Sequence, residues 1–293
     1  MAPRTWRRRL EPMLSWDSRR RGAAAVHPEL SCRTQVPTKT PGSLRLLSLN
    51  AAHGRSTAAH QALLPRDRTE RNVADIGRLV KDVGPEVVAL QEADGPSAWS
   101  GNFDHVAALA DFTEMSSHYR GDHNPFGFGR FNLESGTALL SRLGLESTQS
   151  HRFAANWRDT KGFVVAAVRV PQWDGREIDV VSVHLDFLRP QVRRRQILDM
   201  VHALIHRRRP LVILGDLNCC WHQEPESLEL FEDTLGLRPF EPHRLVPTFP
   251  SHRPRRRLDW VLVSSELDFV SHHTLSAPLS DHLVVVADLE LRS

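Results

Sequence analysis

Five apolar runs in this chain end in, or are closely followed by, side chains that bind metal ions or phosphates. They are Asn50 after "LRLLSL", Glu92 after "EVVALQ", His184 within "VVSVHL", Asp216 and Asn218 after "LVILG", and Asp281 with His282 ahead of "LVVV". A run such as Leu211, Val212, Ile213 and Leu214 is fit only for an interior, so each reads as a buried strand with a polar tip. When strands of a sheet end on a common edge, their terminal side chains converge on one crevice, and residues far apart in sequence become neighbours. Taken singly, a strand-end Asn or Asp is a turn former and a strand His a structural residue. The repetition is what points to a site.

Helical patterns alternate with these strands. The spacing predicts a helix over 67–84, with Asp67 capping it, Glu70 answering the cap, and Val73, Ile76, Leu79, Val80 and Val83 along one side before Gly84 and Pro85 stop it. A second helix is expected over 103–112 and a third over 191–208, whose apolar face runs through Ile197, Met200, Val201, Leu204 and Ile205. Strands are expected at 44–50, 86–92, 135–142, 163–170, 177–185, 257–264 and 282–291. Helix-linked and hairpin-like strands both occur, so the folded part reads as one mixed α/β body over residues 43–293. No internal repeat is visible. Residues 1–42 carry arginine clusters, Pro28, Pro37, Pro41 and Gly42 without a sustained period, and read as a disordered arginine-rich leader. The first 26 residues also loosely resemble an organelle-targeting presequence.

The chain has 293 residues with 40% apolar content, enough to bury a core without staples. Its three cysteines, Cys32, Cys219 and Cys220, match neither a disulfide framework nor a zinc spacing, which suits a reducing, cytoplasmic setting. The formal charge of +3 is too small for a protein whose only task is to hold nucleic acid. No apolar run approaches the length of a membrane span, and a monomer is expected.

The motifs "LSLN" (47–50), "VVALQE" (87–92), "ESGTALLSR" (134–142), "VSVHLD" (181–186), "ILGDLN" (213–218), "RRLDWVLVS" (256–264) and "LSDH" (279–282) occur in an order that resembles the endonuclease/exonuclease/phosphatase superfamily over about Leu44 to Leu291. The superfamily includes pancreatic-type deoxyribonuclease, abasic-site endonucleases, neutral sphingomyelinases and inositol-polyphosphate phosphatases. The resemblance implies a four-layer sandwich of two packed β-sheets flanked by helices, with the active site at one end. It also implies hydrolysis of a phosphate ester, in which a hard dication and a delivered hydroxide meet at an anionic phosphorus.

Under that resemblance Glu92 is the first-choice Mg²⁺ ligand, Mn²⁺ being able to substitute, with Asn50 as an oxygen ligand or support and Asp281 touching the metal directly or through water. His282 is the candidate general base and Asp259 its partner, the pairing the family uses. Asp216 and Asn218 would position the attacking water and hold a phosphate oxygen, and His184 would donate to the phosphate or leaving group. Arg158 and Lys161, in "NWRDTKGF", stand where the family often has a basic residue near the substrate phosphate, an exposed loop being the alternative. Some abasic-site endonucleases carry an acid two positions after the strand-end asparagine; this chain has Ala52 and then His53, so one principal metal site is expected.

The substrate stays open among DNA, RNA, phospholipid and small phosphorylated molecules. The arginines of "HRPRRRLDW" (252–260) beside Asp259 tilt the reading toward nucleic acid, whereas "RRR" (193–195) falls on the polar side of its helix. No apolar insertion of the kind a membrane-reading loop requires stands out. The segment "DHNPFGFGRFN" (122–132) reads as a hairpin over the core edge or as a base-stacking loop. Cys219 and Cys220 read as packing residues. One rival reading, a degenerate binding or scaffold module, would accompany loss of Glu92, Asp216, Asn218 or His282, and all four are present; the other, a non-catalytic nucleic-acid binder, would need a stronger basic excess than +3.

Overall fold

The protein is described by a computed structural model that covers residues 36–292 except 122, 124, 125, 129, 130 and 154–160. The first 35 residues, most of the expected leader, therefore lie outside the described residues. Residues 36–42 are held to the body: Arg45 donates to the Pro37 carbonyl at 2.9 Å and the Trp173 indole to the Gly42 carbonyl at 3.1 Å.

Two six-stranded mixed sheets form the body. The first contains β1 (Leu44–Asn50), β2 (Val87–Asp94), β3 (Ser117–Arg120), β6 (Ser135–Ser141), β13 (Leu267–Leu275) and β14 (Val284–Leu291), in the order β13-β14-β1-β2-β6-β3. The second contains β7 (Glu146–Arg152), β8 (Gly162–Val170), β9 (Arg176–His184), β10 (Leu211–Asp216), β11 (Arg238–Pro239) and β12 (Asp259–Val263), in the order β11-β12-β10-β9-β8-β7. Between β3 and β6, β4 (Phe126–Phe128) pairs antiparallel with β5 (Phe131–Leu133), while the phenylalanine side chains on which the two readings of "DHNPFGFGRFN" differ lie outside what is described.

Each sheet is built on one parallel pair, β1 with β2 and β9 with β10, and all other pairings are antiparallel. Parallel neighbours need a crossover. Helix α1 (Arg66–Val83) supplies it between β1 and β2, and α3 (Pro190–Leu204) between β9 and β10; α2 (His105–Thr113) and α4 (Pro225–Leu235) complete the outer layers.

Strand alternation divides the apolar residues between layers. Leu44 and Leu46 of β1, Val180 of β9, Val212 and Leu214 of β10, and Val261 and Val263 of β12 face the other sheet and share one buried cluster. Their sequence neighbours Val181, Val183, Ile213 and Leu262 face outward, against Ile197, Met200 and Leu204 of α3 and Leu228 and Phe231 of α4. On the first sheet α2 lies against β2 and β6, and α1 packs on α2. A Cβ on Gly77 would stand 2.5 Å from the Phe112 ring, so α1 approaches α2 as closely as only glycine permits there. The architecture is thus a four-layer α/β sandwich.

Local details depart from the sequence reading. Helix α1 begins at Arg66 with no side-chain cap, because Pro65 occupies the capping position; Asp67 instead pairs with Arg71 one turn on. Helix α2 has the side-chain cap expected of such a start, with Asp104 accepting from the backbone N–H groups of Val106 and Ala107. Arg193 is buried and pairs with Glu224 at the N-cap of α4, so the "RRR" triplet is not uniformly a solvated face.

Two histidines away from the crevice are buried and held below the ordinary imidazole value. His123, whose Nε2 lies 2.9 Å from Thr137 Oγ1, is pushed down to about 3 by burial and by the Arg120 and Arg152 cations. Burial likewise lowers His105. His123 stays neutral when folded and takes a proton near pH 6.5 when unfolded, so its contribution to stability is full above that pH and falls as the pH drops below it. Thermal unfolding followed from pH 7 to pH 5 should therefore approach a loss of about 1.4 kcal/mol per pH unit from this histidine once the pH is below 6.5. His123→Asn should flatten the slope by about one proton.

Candidate active site

The strand plan alone brings the polar tips together. The C-terminal ends of β1, β2, β9 and β10 share one edge of the sandwich, and the antiparallel partners β12 and β14 begin there. On the second sheet, His184, Asp216 and Asp259 occupy one rung across three adjacent strands, since Asp216 is opposite both His184 and Asp259. They continue the inward-facing series of Val180, Leu214 and Val261, directly after Leu214 and Val261 and with Ser182 intervening on β9, so the site is the polar end of the inter-sheet core.

Glu92 reaches the same crevice by a different device. In β2 the inward residues are Val87, Ala89 and Gln91, and simple alternation would turn Glu92 outward. A register irregularity between Leu90 and Ala93, with Glu92 at φ 48°, redirects it. One residue before the rung, Gly215 has φ 150°, and a Cβ there would lie 2.0 Å from the Val183 carbonyl oxygen. Only glycine lets β10 lie that close to β9 just before Asp216.

Hydrogen bonds converge on one carboxylate. Asn50 Nδ2 donates to Asp216 Oδ2 at 3.1 Å, tying the two sheets together. His184 Nε2 and His282 Nε2 lie 3.3 and 3.7 Å from the same oxygen. The other oxygen, Oδ1, accepts the backbone N–H of Asn218, whose side chain donates to the Leu185 carbonyl. His282 Nδ1 is 2.8 Å from Asp259 Oδ2, and Asp259 is seated by Thr248 Oγ1, which accepts the backbone N–H groups of Leu258 and Asp259. Ser280 Oγ donates to the Asn50 carbonyl and accepts the His282 N–H, joining the ends of β1 and β14.

Burial opposes a charge on His282, but the carboxylates of Asp259 and Asp216 outweigh it and raise its pKa. Burial raises Asp216 above the usual carboxylate range, against the pull of His282. His184 moves the other way: burial and then the Lys161 ammonium hold it well below the ordinary imidazole value. Lys161 Nζ lies 2.6 and 3.0 Å from the two ring nitrogens of His184, so a neutral imidazole accepts from it, and it stands 3.9 Å from Glu92.

Asn50, Glu92, Lys161, His184, Asp216, Asn218, Asp281 and His282 line one cavity of about 240 Å³, with Asp259 behind His282. Arg158 lies outside the described residues. Asp281, expected at the metal, has its Oδ2 paired with Arg55 at 2.6 Å. Of the arginines before Asp259, Arg256 lines the cavity, whereas Arg257 is buried with its guanidinium 3.9 Å over the Trp260 ring. Sequence reasoning did not assign His53, Arg55, Asp94, Phe249 or Ser280 to the site. Their only signal was nearness in sequence to Asn50, Glu92, Asp259 or His282. The mouth holds a further feature the sequence did not reveal: Phe187, which lines the cavity, and Leu188 are 60% and 69% exposed.

The donor set suits a hard dication. Glu92 is partly open to the cavity, Asn50 Oδ1 accepts only the Ala52 N–H, and buried Asp259 Oδ1 has no hydrogen-bond partner. Among the described residues, buried Asp216, Asp259 and His282 also have ligand atoms within 4.8 Å of one another. An ion there would compete with the bond from His282 to Asp259. The pole at Glu92 and Asn50 has no such conflict and leaves room for the waters Mg²⁺ retains.

A four-layer sandwich that gathers carboxylates, amides and an Asp–His pair at one end defines the class of sandwich-fold phosphoester hydrolases. The sequence profile of the Endonuclease/Exonuclease/phosphatase family matches residues 47–282, and the chain belongs to that family. No curated protein matches the sequence. Among solved structures, an endonuclease/exonuclease/phosphatase from Beutenbergia cavernae is similar at a TM-score of 0.68 and 20% identity, covering 85% of this chain and 72% of its own. D. rerio TDP2 complexed with single strand DNA product gives a TM-score of 0.63 at 14% identity, covering 85% and 99%. Sphingomyelinase C from Streptomyces griseocarneus gives 0.59 at 20%, covering 85% and 99%.

Gly215→Ala should cost about 3 kcal/mol or more in thermal or urea unfolding, through the clash with Val183 and the loss of a backbone conformation that L side chains resist.

Proposed function

We propose that the protein is a divalent-metal-dependent phosphoesterase that cleaves a phosphodiester by direct attack of water, with nucleic acid as the favoured substrate. The observation that carries the reading is the convergence of Asn50, His184 and His282 on Asp216 Oδ2, at distances of 3.1, 3.3 and 3.7 Å, from both sheets.

Glu92 and Asn50 would hold Mg²⁺ or Mn²⁺, with Asp281 entering directly or through water; the bound ion supplies charge neutralisation at the phosphate oxygens. Asp216 and the Asn218 amide orient the attacking water, and His282 takes its proton, with Asp259 fixing the ring so that Nε2 faces the reaction. Lys161 offers a cation to the phosphate, and a neutral His184 offers a hydrogen bond. Arg256 on the cavity wall supports a polyanionic substrate. The free, buried thiols of Cys219 and Cys220 suit the reducing, cytoplasmic setting that this reading carries, with the enzyme acting as a monomer as part of the proposal. Among the described residues no helix is long and apolar enough to cross a membrane. Exposed Phe187 and Leu188 at the mouth favour one second reading, a phospholipid headgroup substrate.

A panel of DNA, abasic DNA, RNA, sphingomyelin and inositol phosphates with Mg²⁺ or Mn²⁺ tests the proposal, with His282→Ala as the blank. Turnover of a nucleic acid that EDTA abolishes and His282→Ala lowers by at least about 100-fold is expected. Absence of metal-dependent hydrolysis across the panel overturns it.

Because Asp259 and Asp216 raise His282, the base becomes competent only as the pH rises past the ordinary imidazole range. The pH–rate profile should climb above pH 6.5, and Asp259→Asn, by removing one carboxylate, should move that limb to lower pH while lowering the plateau by about 100-fold or more.

A further inference from the structure

Glu92 lines two adjoining cavities. One is the site already described; the other, of about 80 Å³, lies among His53, Trp99, His123 and Thr137, with Lys161 and His184 lining both and the Lys161 ammonium 3.9 Å from Glu92 Oε1. On that second side His53 Nε2 is 3.3 Å from Glu92 Oε2. His53 Nδ1 is 2.7 Å from Oδ1 of fully buried Asp94, whose Oδ2 accepts the Trp99 indole N–H at 3.0 Å. The backbone takes unusual conformations to build this: Ala52 and His53 have φ of 47° and 53°, and Glu92 has φ 48°. Successive non-glycine residues in the left-handed region are costly and persist where the surroundings demand them.

We propose that His53 is a metal ligand through Nε2, sharing with Glu92 the ion read above, so that the site still accepts Mg²⁺ but binds a first-row dication such as Mn²⁺, Co²⁺ or Zn²⁺ more tightly. The proposal rests on the metal-dependent reading above and adds a nitrogen donor to it. Bonds of about 2.1 Å meeting at a right angle place neighbouring donor atoms about 3.0 Å apart, close to the observed separation. A ligating imidazole characteristically gives its other N–H to a carboxylate, which fixes the ring and strengthens the donor. Asp94 occupies that position, and Trp99 fixes Asp94 in turn. Imidazole suits Fe²⁺, Co²⁺ and Zn²⁺, whereas Mg²⁺ prefers oxygen ligands alone. The competing account is an ion pair of protonated His53 with Glu92. In that case the imidazolium competes with the cation, and removing it would tighten metal binding.

The two accounts predict opposite results. Metal-free protein is titrated calorimetrically with Co²⁺ and with Mg²⁺, and the Co²⁺-loaded protein is examined by proton NMR for a hyperfine-shifted, exchangeable imidazole N–H. His53→Gln is expected to weaken Co²⁺ binding by about tenfold or more, to change Mg²⁺ binding by less than about threefold, and to remove the shifted resonance. Asp94→Asn, which leaves the ligand in place, should weaken Co²⁺ by about 10- to 100-fold. Unchanged or tighter Co²⁺ binding in His53→Gln overturns the assignment. So does the absence of any shifted imidazole N–H in the unmodified protein, a measurement that needs no variant to fold. Glu92→Gln separates the two levels: if it still binds both ions, the metal reading of the crevice fails, whereas failure of His53→Gln alone removes only the nitrogen ligand.

Discussion

Two parallel strand pairs, one in each sheet, set the geometry of the rest of this molecule. Because β1 runs with β2 and β9 with β10, their C-terminal ends lie on one edge of the sandwich. The helical crossovers α1 and α3 that parallel pairing requires become the outer layers that bury both sheets. A hydrogen bond from Asn50 to Asp216 then joins the sheets where the apolar core runs out. Below it, Gln91 donates to Ser182 at 3.1 Å and Ser182 to the Leu90 carbonyl, so the transition from core to crevice is polar but hydrogen-bonded.

The same low-dielectric position that makes the crevice useful divides its imidazoles by role. His184 and His282 are both buried within a few ångströms of Asp216, yet their environments push them in opposite directions. Lys161 faces His184 and favours its neutral form, whereas two carboxylates face His282 and favour its charged form. A difference of this kind between neighbouring groups is how a site assigns one to hydrogen bonding and the other to proton transfer. His53, between Asp94 and Glu92 on the far wall, sits in a third environment in which both ring nitrogens meet carboxylates.

Elements with a strong local signal were legible in the sequence. The apolar runs of β1, β2, β8, β9, β10, β12 and β14 and the amphipathic pattern of α1 and α3 all stand near their expected bounds. Strands β7 and β13 were not anticipated. Segment 146–152, "ESTQSHR", is largely exposed and lacks an apolar run, and Phe269 and Val270 interrupt the alternation of 267–275 at a bulge. Helix α4 was also missed, since "PESLELFEDTL" commits only Leu228 and Phe231 to the core and is otherwise acidic. Arg193 shows a different failure: helical periodicity placed it on a polar face, but the start of a second helix, capped by Glu224, meets it there.

What the sequence by itself determined was the set of strands and the residue at each tip. Period-two burial makes a run of branched residues a strand wherever it lies, and a polar group at its end is visible without knowing its neighbours. Which tips meet, and on what terms, was decided by tertiary structure. The bulge at Glu92 reverses the face that alternation assigns to it. Arg55 occupies Asp281, and Asp94 and Trp99 turn His53 onto Glu92. Each of these depends on a register shift or on a partner tens to hundreds of residues away, and local sequence carries no record of either.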